Sequence, residues 1–232
     1  MLDEDEAVFF ANKFGVAESQ VRRDYIISHV LGALAESLAD DVVFFGGTAL
    51  TRTNLPDLRL SEDIDLIAKG DRSATAAAIQ RALVKNLRRT VGIPEFTPAL
   101  ADTRHPEPAV MGIDETRIQL QLLSQIGYPA WPTETRSIEQ RYSDAPPAQL
   151  RVLTPPAFAA AKLSAWNDRR AARDLYDMWA MATDGPCTSP DAVSFDDVPS
   201  EKQWTAALAH QCRPKVSASE AASVVQRAWS TN

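Results

Sequence analysis

Asp63 and Asp65 stand one residue apart in the run Arg59-Leu60-Ser61-Glu62-Asp63-Ile64-Asp65-Leu66. Ile64, Leu66 and Ile67 predict a strand, and side chains at i and i+2 of a strand point to one face. The two carboxylates then face a cleft, while Ile64 and Leu66 face the core. Two like charges that close repel unless a cation sits between them. Mg²⁺ suits such a site, since it takes oxygen ligands, keeps several waters and is held by one or two carboxylates plus substrate phosphates. Mn²⁺ is the alternative ion.

A second feature lies just upstream. Val42-Val43-Phe44-Phe45 reads as a short buried strand, followed by Gly46-Gly47 and then by Thr48-Ala49-Leu50, which can open a helix. A glycine turn between strand and helix lets the backbone approach a phosphate, and the free N–H groups at the helix start point toward it. Thr48 is expected to cap that helix or to donate its hydroxyl to a phosphate. Taken singly, Gly-Gly before a helix is a tight turn, and Asp-x-Asp is common on exposed strand edges. Together they point to the handling of a metal–nucleotide complex.

On these residues the chain resembles the AbiEii/MenT-type nucleotidyltransferases, toxin components of bacterial toxin–antitoxin pairs within the DNA polymerase β-like superfamily. The resemblance rests on Gly46-Gly47-Thr48-Ala49-Leu50 and on Arg59 to Leu66. It extends to a second block, Leu153-Thr154-Pro155, Ala161-Lys162-Leu163-Ser164-Ala165, Arg169 and Arg173-Asp174-Leu175-Tyr176-Asp177. Arg23-Asp24-Tyr25 is a weaker third match, and the whole spans roughly residues 20–183. The superfamily often carries a third carboxylate on a neighbouring strand. The strand expected at Thr116–Leu122 offers Gln119 and Gln121 instead, which favours one well-held Mg²⁺, or a second one bound mainly by the nucleotide, over a conventional two-metal site.

The resemblance implies catalytic roles for Asp63, Asp65, Lys162 and Asp174, with Asp63 and Asp65 as the metal ligands. It implies nucleotide binding by Gly46, Gly47, Thr48, Arg59, Ser61 and Lys162. Lys162 sits among Ala159, Ala160, Ala161 and Leu163. Read alone, it is a lysine whose stem covers the helix and whose ammonium reaches water; the resemblance makes it a triphosphate ligand. Asp174 and Asp177 share a helix face. Asp174 either orients Lys162 or accepts a proton, and Arg173-Asp174 as a plain ion pair is the structural alternative. Tyr176 and Trp179 are expected in the core. Phosphorylation of Thr48 or Ser61 would add charge that competes with substrate phosphates.

Composition sets the outer limits. A chain of 232 residues is long enough for one large domain or two small lobes. Its 45% hydrophobic and 24% charged residues are those of a globular protein. No apolar run approaches a membrane span, and the acidic start Met1-Leu2-Asp3-Glu4-Asp5-Glu6 is opposite to a signal peptide. With only Cys187 and Cys212, a reducing cytoplasm is the simplest location. His29, His105 and His210 make no zinc pattern and are taken as structural. The net charge of −7 weighs against a nucleic-acid partner, so RNA binding would need local basic patches. Two exist: Lys85-Asn86-Leu87-Arg88-Arg89, which is otherwise a solvated helix face, and Arg169-Arg170 with Arg173.

The elements that must position these groups follow from periodicity. A helix is expected over 18–38, strands over 42–45 and 63–68, and a helix over 72–91 capped by Asp71 or Ser73. Prolines 94, 98, 106 and 108 punctuate a stretch suited to short edge strands. A strand over 117–124 follows, and Val152-Leu153 ends the sheet. Beyond Thr154-Pro155-Pro156 the pattern turns helical, over 156–168 and 170–183, with a break at Asp184-Gly185-Pro186, a loop over 185–199, and helices near 200–210 and 217–229. The fold class is α/β (α+β): a small mixed-sheet nucleotidyltransferase lobe over residues 1–153, then a helical lobe over 154–232.

The expected activity is Mg²⁺-dependent transfer of a nucleoside monophosphate from an NTP to an acceptor hydroxyl. The resemblance implies the 3′ end of tRNA as acceptor, blocked translation as the outcome, and a cognate antitoxin as partner, with no membrane involved. One rival is a nucleotidyltransferase acting on a small molecule such as an aminoglycoside. The other is a non-catalytic nucleotide- or protein-binding module.

Overall fold

The computed structural model describes residues 1–126, 130–184, 195 and 198–229. Most of the loop expected over 185–199 lies outside these residues, as does Cys187. Cys212 is a buried free thiol.

The sheet has seven strands in the order β3-β4-β5-β2-β1-β7-β6. They are β1 (Val42–Phe45), β2 (Asp63–Ala68), β3 (Glu95–Thr97), β4 (Ala109–Ile113), β5 (Thr116–Ser124), β6 (Thr133–Ile138) and β7 (Ala148–Leu153). The pairing is mixed. β1 runs antiparallel to β2, β2 is parallel to β5, and β1 is parallel to β7. The register sets Asp63 beside Gln119 and Asp65 beside Gln121. The pleat therefore puts these four side chains on one face. Ile64, Leu66, Ile118, Leu120 and Leu122 are buried on the other.

Among the described residues eight α-helices surround the sheet: α1 (Glu4–Phe14), α2 (Glu18–Leu38), α3 (Gly46–Thr53), α4 (Arg72–Leu87), α5 (Pro155–Arg169), α6 (Ala172–Asp184), α7 (Glu201–Leu208) and α8 (Ala218–Trp229). Helix α4 starts where Asp71 accepts from the Ala74 N–H at 2.7 Å, as expected. It ends at Leu87, short of residue 91. The sequence reading assigned no element to α1 or β6. In α1 Asp3 caps the helix, and Glu4, Asp5 and Glu6 in the first turn meet its positive end. β6 is a mostly polar strand that owes its form to antiparallel pairing with β7.

Buried apolar residues form one continuous cluster from Ala7 to Trp229. Helix α6 packs on α7 and α8 around Tyr176, Trp204 and Trp229, which are buried as expected for Tyr176. Backbone hydrogen bonds from Leu60 N to Gln211 O (2.9 Å) and from Arg213 N to Phe14 O (2.8 Å) tie the C-terminal helices to the N-terminal half. The Arg23-Asp24-Tyr25 match proves to be a structural bracket. Asp24 is buried and its carboxylate accepts from Arg52 (2.8 Å), Arg141 (3.1 Å) and the Tyr142 hydroxyl (3.1 Å), the full pairing that a buried charge requires. Among the described residues no helix is long and apolar enough to cross a membrane.

Candidate active site

A cleft of ≈ 500 Å³ lies between the carboxylate face of the sheet and helices α5 and α6. Gly46, Gly47, Arg59, Ser61, Asp63, Asp65 and Lys162 all line it. The sheet side and the helix side of this group are about a hundred residues apart in the chain, and the fold brings them to one opening.

The glycine turn is built for close approach. Gly46 has φ 75°, a left-handed conformation, and a Cβ there would collide with the Asp65 carboxylate. A Cβ on Gly47 would lie 2.8 Å from Arg59 Nη2 and 3.2 Å from Ser61 Oγ. Helix α3 begins at Gly46 itself, with Phe45 as its N-cap and no side-chain cap hydrogen bond. Its first N–H groups are thus left for an anion.

Thr48 departs from the expectation. Its side chain is buried and its hydroxyl donates to the Asp63 carbonyl, so it braces β2 against α3 rather than facing the cleft. Ser61, by contrast, lines the opening.

The two sheet carboxylates are strained electrostatically. Burial raises the Asp65 pKa to about 6, and the neighbouring Asp63 charge adds to the effect. Burial likewise raises Asp63, against the pull of Arg173, whose Nη1 lies 3.8 Å from Asp63 Oδ2. This is a pair short of positive charge. Its oxygens, with the cradle left by Gly46, fit a Mg²⁺ or Mn²⁺ whose remaining ligands are water and phosphate. Among the described residues no three His, Cys, Asp or Glu side chains cluster to hold a metal by protein ligands alone. The amides of Gln119 and Gln121 stand where a third acid was sought; both line the cleft, and Gln121 donates to the Pro106 carbonyl at 2.5 Å.

The helix side is the reverse. Lys162 Nζ donates to Asp174 Oδ1 at 3.2 Å and pairs with Asp177 Oδ2 at 2.7 Å. Asp174 also accepts from Arg169 Nε (2.8 Å) and Nη2 (2.9 Å). Asp177 accepts from Arg59 Nε and Nη2, both at 2.7 Å. Burial alone would raise both acids, but their cations win: Asp177 falls to about 2 through Arg59 and Lys162, and Asp174 is lowered through Lys162 and Arg169. Lys162 thus points its ammonium neither to bulk water nor freely into the cleft. Arg173 pairs with Asp63, not with its neighbour Asp174.

Reading the sequence assigned no site role to Asp177 or Gln211, which both hold the cleft residue Arg59. Asp177 was placed on the face of Asp174 but given no role, although its spacing of three was the signal. Arg169 and Arg173 line the cleft, and their clustering had pointed to phosphate. Gln211, which accepts from Arg59 Nη1 at 2.9 Å, had no local signal at all.

Comparisons with known proteins give the family and the fold. The family model described as nucleotidyl transferase AbiEii toxin, type IV toxin–antitoxin system, matches residues 29–215. No curated protein sequence matches the chain. Among solved structures, the fold is similar to MenT4, a nucleotidyltransferase toxin from Mycobacterium tuberculosis H37Rv, with a TM-score of 0.71 at 17% identity over 99% of this chain and 89% of that one. An antigenic nucleotidyltransferase-like protein from Paracoccidioides brasiliensis aligns with a TM-score of 0.43 at 16% identity over 81% of this chain and 86% of its own. With the family model covering most of its length, the chain belongs to the AbiEii nucleotidyl transferase toxin family of type IV toxin–antitoxin systems.

Proposed function

We propose that the protein transfers a nucleoside monophosphate from an NTP to the 3′ end of tRNA and so blocks translation in the cytoplasm, under the restraint of an antitoxin. The acceptor oxygen forms a bond to the α-phosphorus, the bond from that phosphorus to the bridging oxygen breaks, and pyrophosphate leaves. The observation that carries this reading is the convergence of Asp63, Asp65, the Gly46–Gly47 turn and Lys162 on one cleft.

Chemistry of this kind is mostly positioning and charge stabilisation. Asp63 and Asp65 would hold Mg²⁺ or Mn²⁺ against the phosphates. When bound, the ion would polarise the phosphoryl oxygens and offset developing charge. The uncapped N–H groups of Gly46, Gly47 and Thr48 would receive phosphate oxygens, with the Arg59 guanidinium directly behind Gly47. Lys162, Arg169 and Arg173 would face the triphosphate from the helices, and Asp174 and Asp177 would fix the height of Lys162.

The net charge of −7 favours a second acceptor class, a small cationic molecule such as an aminoglycoside. Incubation with each α-labelled NTP, in parallel with total tRNA and with an aminoglycoside panel, separates the two. Label moving to tRNA on a denaturing gel, with stoichiometric pyrophosphate, is expected. Label on the small molecules alone would replace the acceptor, and no pyrophosphate from any NTP would overturn the transferase reading.

A further inference from the structure

A second cavity, ≈ 830 Å³, opens between α2 and α4 and shares no lining residue with the catalytic cleft. Its floor is aliphatic, made of Ala33, Leu87, Pro146 and Val84, the last 38% exposed. Its rim is cationic. Arg81, Lys85 and Arg88 recur at helical spacing along α4 and its C-terminal end, and Arg89 follows. All four are exposed, and none forms an ion pair among the described residues. In a chain of net charge −7 such a group is out of place on a merely solvated face. The two carboxylates at the groove are already engaged: Glu36 accepts from the Asn86 amide (3.3 Å) and Asp144 from the Tyr25 hydroxyl (2.8 Å).

We propose that this groove docks an acidic amphipathic segment of a partner protein. Apolar side chains three and four residues apart would seat on the aliphatic floor, the helix-in-groove mode of recognition. Carboxylates flanking them would meet the cationic rim, which sets register and speeds encounter. Single-stranded nucleic acid suits the groove less well. Unpaired bases bind by stacking on aromatic faces, and no Phe, Tyr or Trp lines it. A partner seated here leaves the catalytic cleft open.

The test is selection from a displayed random-peptide library on the full chain, counter-selected on an Arg88→Glu/Arg89→Glu variant shown by circular dichroism to be folded. The expected result is enrichment of peptides with acidic residues around apolar positions at helical spacing. Their affinity should fall at least about tenfold in that variant and in Val84→Glu, the scale of losing a central anchor or a charge pair, and should weaken with added salt. Transfer activity of Val84→Glu should match the wild type. Selected peptides that bind the variants equally, or that lack the acidic–apolar pattern, would overturn the proposal. So would a single-stranded RNA oligonucleotide that binds the chain and loses affinity in Val84→Glu.

Discussion

Two pairs of aspartates, one lining the cleft on the sheet and one buried behind Lys162 on the helix side, are electrostatic opposites. Asp63 and Asp65 have one arginine at the edge of ion-pairing distance, 3.8 Å, and burial pushes both pKa values up, helped by the Glu62 charge at Asp63 and by the Asp63 charge at Asp65. Asp174 and Asp177 are also buried, yet Lys162, Arg59 and Arg169 surround them and pull their pKa values down. The difference separates two jobs that the same side chain can do. A carboxylate pair left short of positive charge fits the proposed role of cation site. A pair already matched by three cations is scaffold, holding those cations in place for something else.

The contrast is broken most severely at the sheet pair. Asp63→Asn or Asp65→Asn should reduce transfer by at least about a hundredfold, the scale on which lost charge-stabilising groups act, with the fold intact by circular dichroism. Lys162→Ala should cost a similar factor in kcat. Because it also strips one cation from two buried acids, it should cost about 1–3 kcal/mol of stability, seen as a lower Tm. Asp177→Asn removes the partner of a fully buried guanidinium. It should destabilise by about 3–5 kcal/mol, the cost of breaking a buried pair from one side, and chemical denaturation measures it.

The pH responses of the two pairs have opposite signs. Asp65, raised to about 6 in the fold, binds a proton that the unfolded chain has released. Its contribution therefore lowers stability as pH rises from about 4 through 6. In chelated protein at neutral pH, Asp65→Asn should raise the Tm, by the equivalent of about 1–3 kcal/mol at most, while it removes activity. Asp177, lowered to about 2, contributes stability that is present above its unfolded value near 4 and is lost as pH falls toward 2. Acid unfolding of Asp177→Asn should accordingly be less steep in that window. The smallest expected effect is at Ser61: Ser61→Ala should change Tm little and raise the KM for NTP only several-fold, in keeping with the loss of one neutral hydrogen bond, about 1 kcal/mol.

Much of the sheet side was legible in the sequence because its signals are local. Alternation fixed the faces of β2 and β5 and therefore the Asp63–Gln119 and Asp65–Gln121 neighbours, and Gly46-Gly47 marked the turn. The helix side was legible only as a spacing. Lys162 and Asp174 could be placed on adjacent helices, but nothing local says that Asp177 grips Arg59 118 residues away, or that Gln211 reaches the same guanidinium from 152 residues away. Tertiary pairing also decided Thr48. A hydroxyl at a helix start reads as a cap or a phosphate donor, and only the closeness of β2 turns it toward the Asp63 carbonyl. β6 has little apolar alternation to read, and its form comes from β7.

The most direct test of the contrast is Mn²⁺ binding followed by electron paramagnetic resonance, in the presence of a non-hydrolysable NTP analogue. Wild type and Asp177→Asn that remains folded should both bind the ion, whereas Asp65→Asn should lose it, with affinity reduced at least about tenfold, the scale seen when carboxylates at a metal site are disturbed. Unchanged Mn²⁺ affinity in Asp65→Asn would contradict the account, because the sheet pair would then not be the cation site that its electrostatics require.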